Sequence, residues 1–140
     1  MSRVFWDTNI FIYFFEQRGA PSEQATALRA RMLQRGDQLF TSALTLGEIL
    51  VKPMEAGDPE LCDRYETLIA RAAVIVPFDP KAARMYAALR RDRTIKAPDA
   101  IQLACAATAR VDLFITNDQR LRRKHVDGIH FISDLDQAPI

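Results

Sequence analysis

The chain has 140 residues, 49% of them hydrophobic, with 19 basic side chains against 18 acidic ones. That length suits one compact domain over residues 1–140, able to bury roughly two-thirds of the surface its unfolded form exposes, and leaves no room for a second. The opening Met1-Ser2-Arg3-Val4-Phe5-Trp6-Asp7 meets an acid before any long apolar run develops. No later run approaches the ~20 apolar residues of a membrane span, so a mature, soluble, cytoplasmic protein without a membrane role is expected. Cys62 and Cys105 stand far apart without the paired spacing of a zinc site, and buried free thiols are the expectation.

Short β-branched or aromatic runs alternate with segments of helical period, the pattern of an α/β fold in which helices flank a central, mostly parallel five-stranded sheet in three layers. In chain order the pattern predicts a strand at Val4–Trp6, then helices near residues 10–15 and 23–35. A strand at 38–41 and a helix at 45–51 follow, the latter stopped early by Pro53. A helix at 59–72, a strand at 74–76 and a helix at 80–91 come next. Asp58-Pro59 and Asp79-Pro80 each place a capping acid before a proline suited to the first helical position. The segment 98–110 is helical and apolar on nearly every face, so it should be packed on both sides. A strand at 113–116, a short helix at 119–124 and a strand at 130–132 complete the chain. Residues 52–58 and 92–97 collect Pro, Gly and charge and are expected to be loops.

Four acids stand out by position. Asp7 directly follows the first strand, and Asp118 follows the fourth by two residues. In an open parallel sheet the carboxyl ends of strands share one edge and ligands bind in the crevice there. Glu48 lies about one and a half turns beyond the end of the second strand, and Asp99 opens the apolar helix after Pro98. Each acid also has a purely structural reading. Thr45-Leu46-Gly47-Glu48 matches a capping box, Asp99 and Asp118 fall where a helix dipole favours negative charge, and Asp7 suits a cap. Gathered at one edge, however, four carboxylates repel one another unless some are protonated or a cation is bound. A hard divalent ion, Mg2+ or Mn2+, takes oxygen ligands and needs neither His nor Cys.

Basic side chains bracket two of these acids: Arg90, Arg91, Arg93 and Lys96 precede Asp99, while Arg120, Arg122, Arg123 and Lys124 follow Asp118. Fifteen of the 19 basic residues are Arg, whose planar fork suits phosphate. An acidic centre with a basic rim can hold a metal inside and attract a polyanion from outside, although solvated helix ends give the same pattern.

The chain resembles the PIN-domain family, and within it the VapC toxins of type II toxin–antitoxin pairs. The resemblance spans nearly the whole chain and rests on Val4-Phe5-Trp6-Asp7-Thr8-Asn9-Ile10, Ser42-Ala43-Leu44-Thr45-Leu46-Gly47-Glu48-Ile49-Leu50, Pro98-Asp99-Ala100-Ile101-Gln102-Leu103-Ala104 and Leu113-Phe114-Ile115-Thr116-Asn117-Asp118. It implies a PIN-like fold and a Mg2+- or Mn2+-dependent endoribonuclease with Asp7, Glu48, Asp99 and Asp118 as catalytic metal ligands. Thr8, Asn9, Thr116 and Asn117 are the implied supporting residues. Family members vary around the fourth acid. The resemblance further implies a small VapB-like antitoxin, a homodimer and a toxin–antitoxin hetero-oligomer. RNA is the implied substrate, with Arg90, Arg91, Arg93, Lys96, Arg120, Arg122 and Arg123 as candidate RNA-binding residues.

Competing readings are an RNA-processing PIN nuclease without a toxin role and a PIN module that binds without cutting; four intact acids weigh against the latter. A receiver-type phosphotransfer site should pair a strand-end Asp with a later Lys, and no convincing pair occurs. His125 and His130 read as surface or structural residues, and Met85 and Tyr86 as helix packing.

Overall fold

A computed structural model describes all residues, 1–140. Five strands form one wholly parallel sheet in the order β3-β2-β1-β4-β5: β1 Arg3–Trp6, β2 Gln38–Ser42, β3 Val74–Val76, β4 Leu113–Ile115 and β5 Phe131–Ser133. Seven helices connect them: α1 Thr8–Glu16, α2 Ala20–Arg35, α3 Ala43–Glu55, α4 Pro59–Ala72, α5 Pro80–Leu89, α6 Ala97–Thr108 and α7 Gln119–Arg122. Parallel neighbours require such crossovers, and the helices they supply cover the sheet.

Alternation along β1 sorts its side chains. Phe5 faces one cluster with Phe40, Phe114 and the buried residues of α5 and α6, while Val4 and Trp6 face the other with Ile10, Phe11, Leu28, Met32 and Ile69. The register that pairs Phe5 with Phe114 also stacks their rings, centroids 5.0 Å apart. The apolar helix α6 is buried at Ala100 and from Gln102 through Ala107, which explains its lack of a polar face. Met85 and Tyr86 pack against this cluster as expected, and Cys62 and Cys105 are buried free thiols. No helix is long and apolar enough to cross a membrane.

Two local expectations are corrected. Helix α3 runs through Pro53 to Glu55 instead of ending near Val51, so most of the expected 52–58 loop is helical. Pro53 sits in the final turn, where its missing N–H forfeits one bond while its ring is buried. The helix then closes through Ala56 N–H to the Lys52 carbonyl and Asp58 N–H to the Pro53 carbonyl. Helix α3 also starts earlier than predicted, at Ala43, with Ser42 as its N-cap. The Thr45 N–H is therefore met by Ser42 Oγ, and Glu48 is not the partner of a capping box.

Candidate functional site

β1 is the centre of the sheet, and the chain moves to one side of it through β2 and β3 and to the other through β4 and β5. The crevice at such a reversal lies between the carboxyl ends of β1 and β4. Pairing of Trp6 with Ile115 brings Asp7 beside Thr116, and the Asp7 N–H donates to the Ile115 carbonyl at 3.0 Å. The Asp7 side chain, only 9% exposed, accepts from the Thr8 N–H and from Thr116 Oγ1, each at 2.8 Å. It thereby caps α1 and faces the crevice at once.

The other three acids reach this edge from three elements. Glu48, exposed on α3, accepts a 2.6 Å hydrogen bond from Thr8 Oγ1. Asp99 is half-buried in the first turn of α6. Asp118 caps α7, and its N–H donates to Thr116 Oγ1 at 3.1 Å. Thr8 and Thr116 thus tie Asp7 to Glu48 and to the Asp118 backbone, while Asp99 joins through space.

Electrostatics register the gathering. Burial pushes the Asp7 carboxyl up to about 6, with the charges of Asp99 and Glu48 adding to the rise and the Thr116 and Thr8 hydrogen bonds opposing it. Asp99 is raised by burial, then by the charge of Asp118, with Glu48 contributing less; Arg120 and Lys96 oppose. Asp118 goes the other way because the Arg120 guanidinium grips it at two points, Nε to Oδ1 at 3.2 Å and Nη2 to Oδ2 at 2.9 Å. Acids that raise one another's pKa across a crevice make a site in deficit of positive charge.

This donor set is all oxygen and anionic, the chemistry a hard divalent cation takes. No three His, Cys, Asp or Glu side chains close to coordinating distance together. Glu48 is engaged by Thr8 and Asp118 by Arg120, so the carboxylates surround the crevice without converging at one point.

The sequence profile of the PIN domain matches residues 4–126. The chain is a PIN-domain protein. Its fold is shared with a chain of VapBC2 from Rickettsia felis bound to a DNA fragment from its promoter, with TM-score 0.74, 14% identity, and coverage of 94% of this chain and 98% of that one. A toxin–antitoxin complex from Klebsiella pneumoniae gives TM-score 0.66 at 24% identity, covering 90% and 94%. VapBC-5 from Mycobacterium tuberculosis gives 0.64 at 20%, covering 96% and 99%. No curated protein matches the sequence at a significant level.

Within this PIN domain the expected supporting residues divide. Thr8 and Thr116 hold the acids directly, whereas Asn117 donates to the Tyr13 hydroxyl at 2.8 Å and Asn9 is exposed on α1 without a side-chain hydrogen bond. The basic candidates divide too. Arg120 and Lys96 act on the acids. Arg122 is paired with buried Asp134 at 3.0 Å, and Arg90, Arg91, Arg93 and Arg123 are exposed at the surface. Lys124 reaches Asp92 at 2.8 Å, joining the two basic runs that lie far apart in sequence. His130 pairs with Asp112 at 3.2 Å, before β4 and thus at the opposite edge of the sheet, and His125 is exposed.

Sequence reasoning missed Gln102. It is 2% exposed and hydrogen-bonds to Ser42, Thr45 and Thr8. The available signal was one amide in an otherwise Ala-rich apolar helix, three residues after Asp99 and so on the same helical face.

Proposed function

We propose that this PIN domain is a metal-dependent endoribonuclease and the toxin of a toxin–antitoxin pair. The observation that carries the reading is Asp7: a buried carboxylate at the sheet's switch point, raised to about 6 in part by the charges of Asp99 and Glu48. A buried carboxylate beside further acids of the same sign costs stability, a cost that a ligand of the other sign offsets. Asp7, Glu48, Asp99 and Asp118 are the residues that would hold Mg2+ or Mn2+. When bound, such an ion neutralises phosphate charge and acidifies an attacking water.

The protein's own groups supply the rest. Asp7 is fixed by two hydrogen bonds and serves as an anchor. Asp99 has no side-chain hydrogen bond, so its oxygens are available to orient water and take its proton as the water oxygen bonds to phosphorus and an ester P–O bond breaks. Lys96 and Arg120, whose charges act on Asp99, would meet a backbone phosphate at the rim, and the basic runs joined through Lys124 and Asp92 would extend that surface. Solved structures sharing this fold include a toxin–antitoxin complex and a member of the VapBC family of toxin–antitoxin systems, which supports a VapB-like partner. A partner arginine can pair with clustered carboxylates at two points and compete with the ion. A homodimer within a larger toxin–antitoxin assembly completes the proposal.

The test is cleavage of RNA by purified protein in Mg2+ or Mn2+ against EDTA, with the ends sequenced, for wild type and Asp7→Asn. Metal-dependent cutting lost in the variant is expected; equal cutting in EDTA, or a variant at wild-type rate, refutes it. Expression alone should slow growth, and the adjacent small gene should restore it and co-purify. Cleavage in vitro by a protein harmless to its host favours an RNA-processing PIN nuclease.

A further inference from the structure

We infer that Gln102 is a positioning residue that sets the direction of a buried hydrogen-bond chain, making Thr8 an obligate donor to Glu48. The inference rests on the site proposed above, but the chain of bonds stands on its own geometry. Gln102 Oε1 accepts from Ser42 Oγ at 2.5 Å. Its Nε2 donates to Thr45 Oγ1 at 2.7 Å and to Thr8 Oγ1 at 3.0 Å. The two threonine hydroxyls lie 3.2 Å apart, and Thr8 Oγ1 is 2.6 Å from Glu48 Oε1.

Counting protons fixes the rest. A primary amide has two N–H donors, and both are used on the threonines. A hydroxyl has one proton and two acceptor sites. The Thr8 hydroxyl donates to Glu48 Oε1, so its one proton points there. Thr45 must then donate to Thr8, which accepts from Thr45 and Gln102 together. Every polar atom is satisfied in this direction alone. Ser42, Thr45 and Gln102 are all at most 2% exposed, so water cannot substitute for a missing partner, and such networks tolerate no half-satisfied member.

The arrangement links three segments that each carry or border an acid. Gln102 lies on α6 with Asp99, Thr8 follows Asp7, and Ser42 and Thr45 begin the helix that bears Glu48. One side chain thereby holds α6 and α3 to the end of β1 and presents an oriented donor to a carboxylate that is itself only partly covered. Groups that orient a metal ligand from behind typically change ion affinity roughly 10–100-fold when removed.

The experiment reverses the polarity. Gln102→Glu keeps the shape but replaces the donating amide nitrogen with an acceptor, and thermal melts in EDTA should fall by about 5 °C or more. Adding Glu48→Gln lets residue 48 donate to Thr8, so Thr8 can turn its proton toward residue 102; at least half the loss should return. Glu48→Ala removes the same charge without providing a donor and should not restore it. If Gln102→Glu is harmless, or if Ala and Gln at position 48 restore it equally, the directed chain is wrong and charge alone is at work. Should Gln102→Glu not fold, recovery of folded protein by Glu48→Gln and not by Glu48→Ala is the same readout. Gln102→Leu should also raise the Mn2+ midpoint of the wild type ~10-fold or more, and an unchanged midpoint overturns the positioning role. A wild type that binds no Mn2+ refutes the metal site, while the melts still decide the role of Gln102.

Discussion

Replacing Asp7 by Asn should abolish cleavage and make the metal-free protein more stable. Burial and like charges move this carboxyl from its ordinary 3.8 to about 6. At ~1.4 kcal/mol per pH unit, keeping Asp7 ionised in the fold costs about 3 kcal/mol. Asparagine keeps the size and an oxygen for the Thr8 N–H, but its amide must donate to Thr116 Oγ1, whose own proton then needs a new acceptor. Allowing for that loss leaves a gain of about 1–2 kcal/mol. With an unfolding entropy of ~2.1 cal/mol/K per residue over 140 residues, the melting temperature rises by about 3–7 °C. The sign with pH follows from the folded pKa lying above the unfolded one. The burial cost is absent where both states are protonated, below the ordinary 3.8, and complete above about 6. The gap between variant and wild type should therefore be full near pH ~7.5 and shrink toward pH ~4. Scanning calorimetry in EDTA across that range measures it. A folded Asp7→Asn protein less stable than wild type at the upper end, or a gap that does not shrink with acid, refutes the charge deficit assigned to the crevice. Added Mg2+ should raise the melting temperature of wild type more than that of the variant, since a ligand stabilises only the state that binds it.

Three further outcomes are expected. Arg120→Gln removes the two-point grip on Asp118, so the Asp118 carboxyl should titrate higher in carbon-detected NMR, and an unmoved titration would show the pair absent in solution. Gly128 has φ +95°, and a Cβ there would lie 2.8 Å from the Ala107 carbonyl oxygen; Gly128→Ala should cost about 1–3 kcal/mol in urea unfolding, and a neutral result would contradict that close approach. Substituting Arg90, Arg91 and Arg93 together by Ala should weaken RNA binding and lower the slope of log affinity against log salt by ~0.7 for each phosphate that is no longer neutralised; an unchanged slope would make them a solvated helix end.

The fold was readable because each element announces itself locally. β-Branched and aromatic runs, Asp-Pro caps and an all-round apolar helix each depend on residues a few positions apart, and all seven helices and five strands fall where those signals lie. The errors arose where two local signals competed. At Thr45 the sequence matches a capping box, but Ser42, three residues earlier, already supplies the cap. At Pro53 a helix-breaking residue falls in a last turn that can do without one bond and gains a buried ring.

The candidate site was legible in its acids and not in what orients them. A carboxylate directly after a parallel strand can be placed at the sheet edge from sequence, because topology fixes where strands end. The residues behind it cannot, because Thr8, Ser42, Thr45 and Gln102 meet only after the crossovers bring positions as far as 94 residues apart into hydrogen-bond range. Each has an ordinary local reading as a helix-end hydroxyl or a helix amide. The same holds for charge: the sequence shows Arg120 two positions from Asp118 but not whether it turns outward to a polyanion or inward to the acid. The structure turns it inward. A phosphate arriving at the rim must therefore compete with Asp118 for the guanidinium, while a cation in the crevice competes with the guanidinium for Asp118. The two exchanges are complementary, since an ion that takes Asp118 releases Arg120 to the phosphate. Divalent ion and RNA should accordingly bind with positive coupling in wild type and with less in Arg120→Gln. A coupling unchanged by that substitution would leave Arg120 a partner of Asp118 alone.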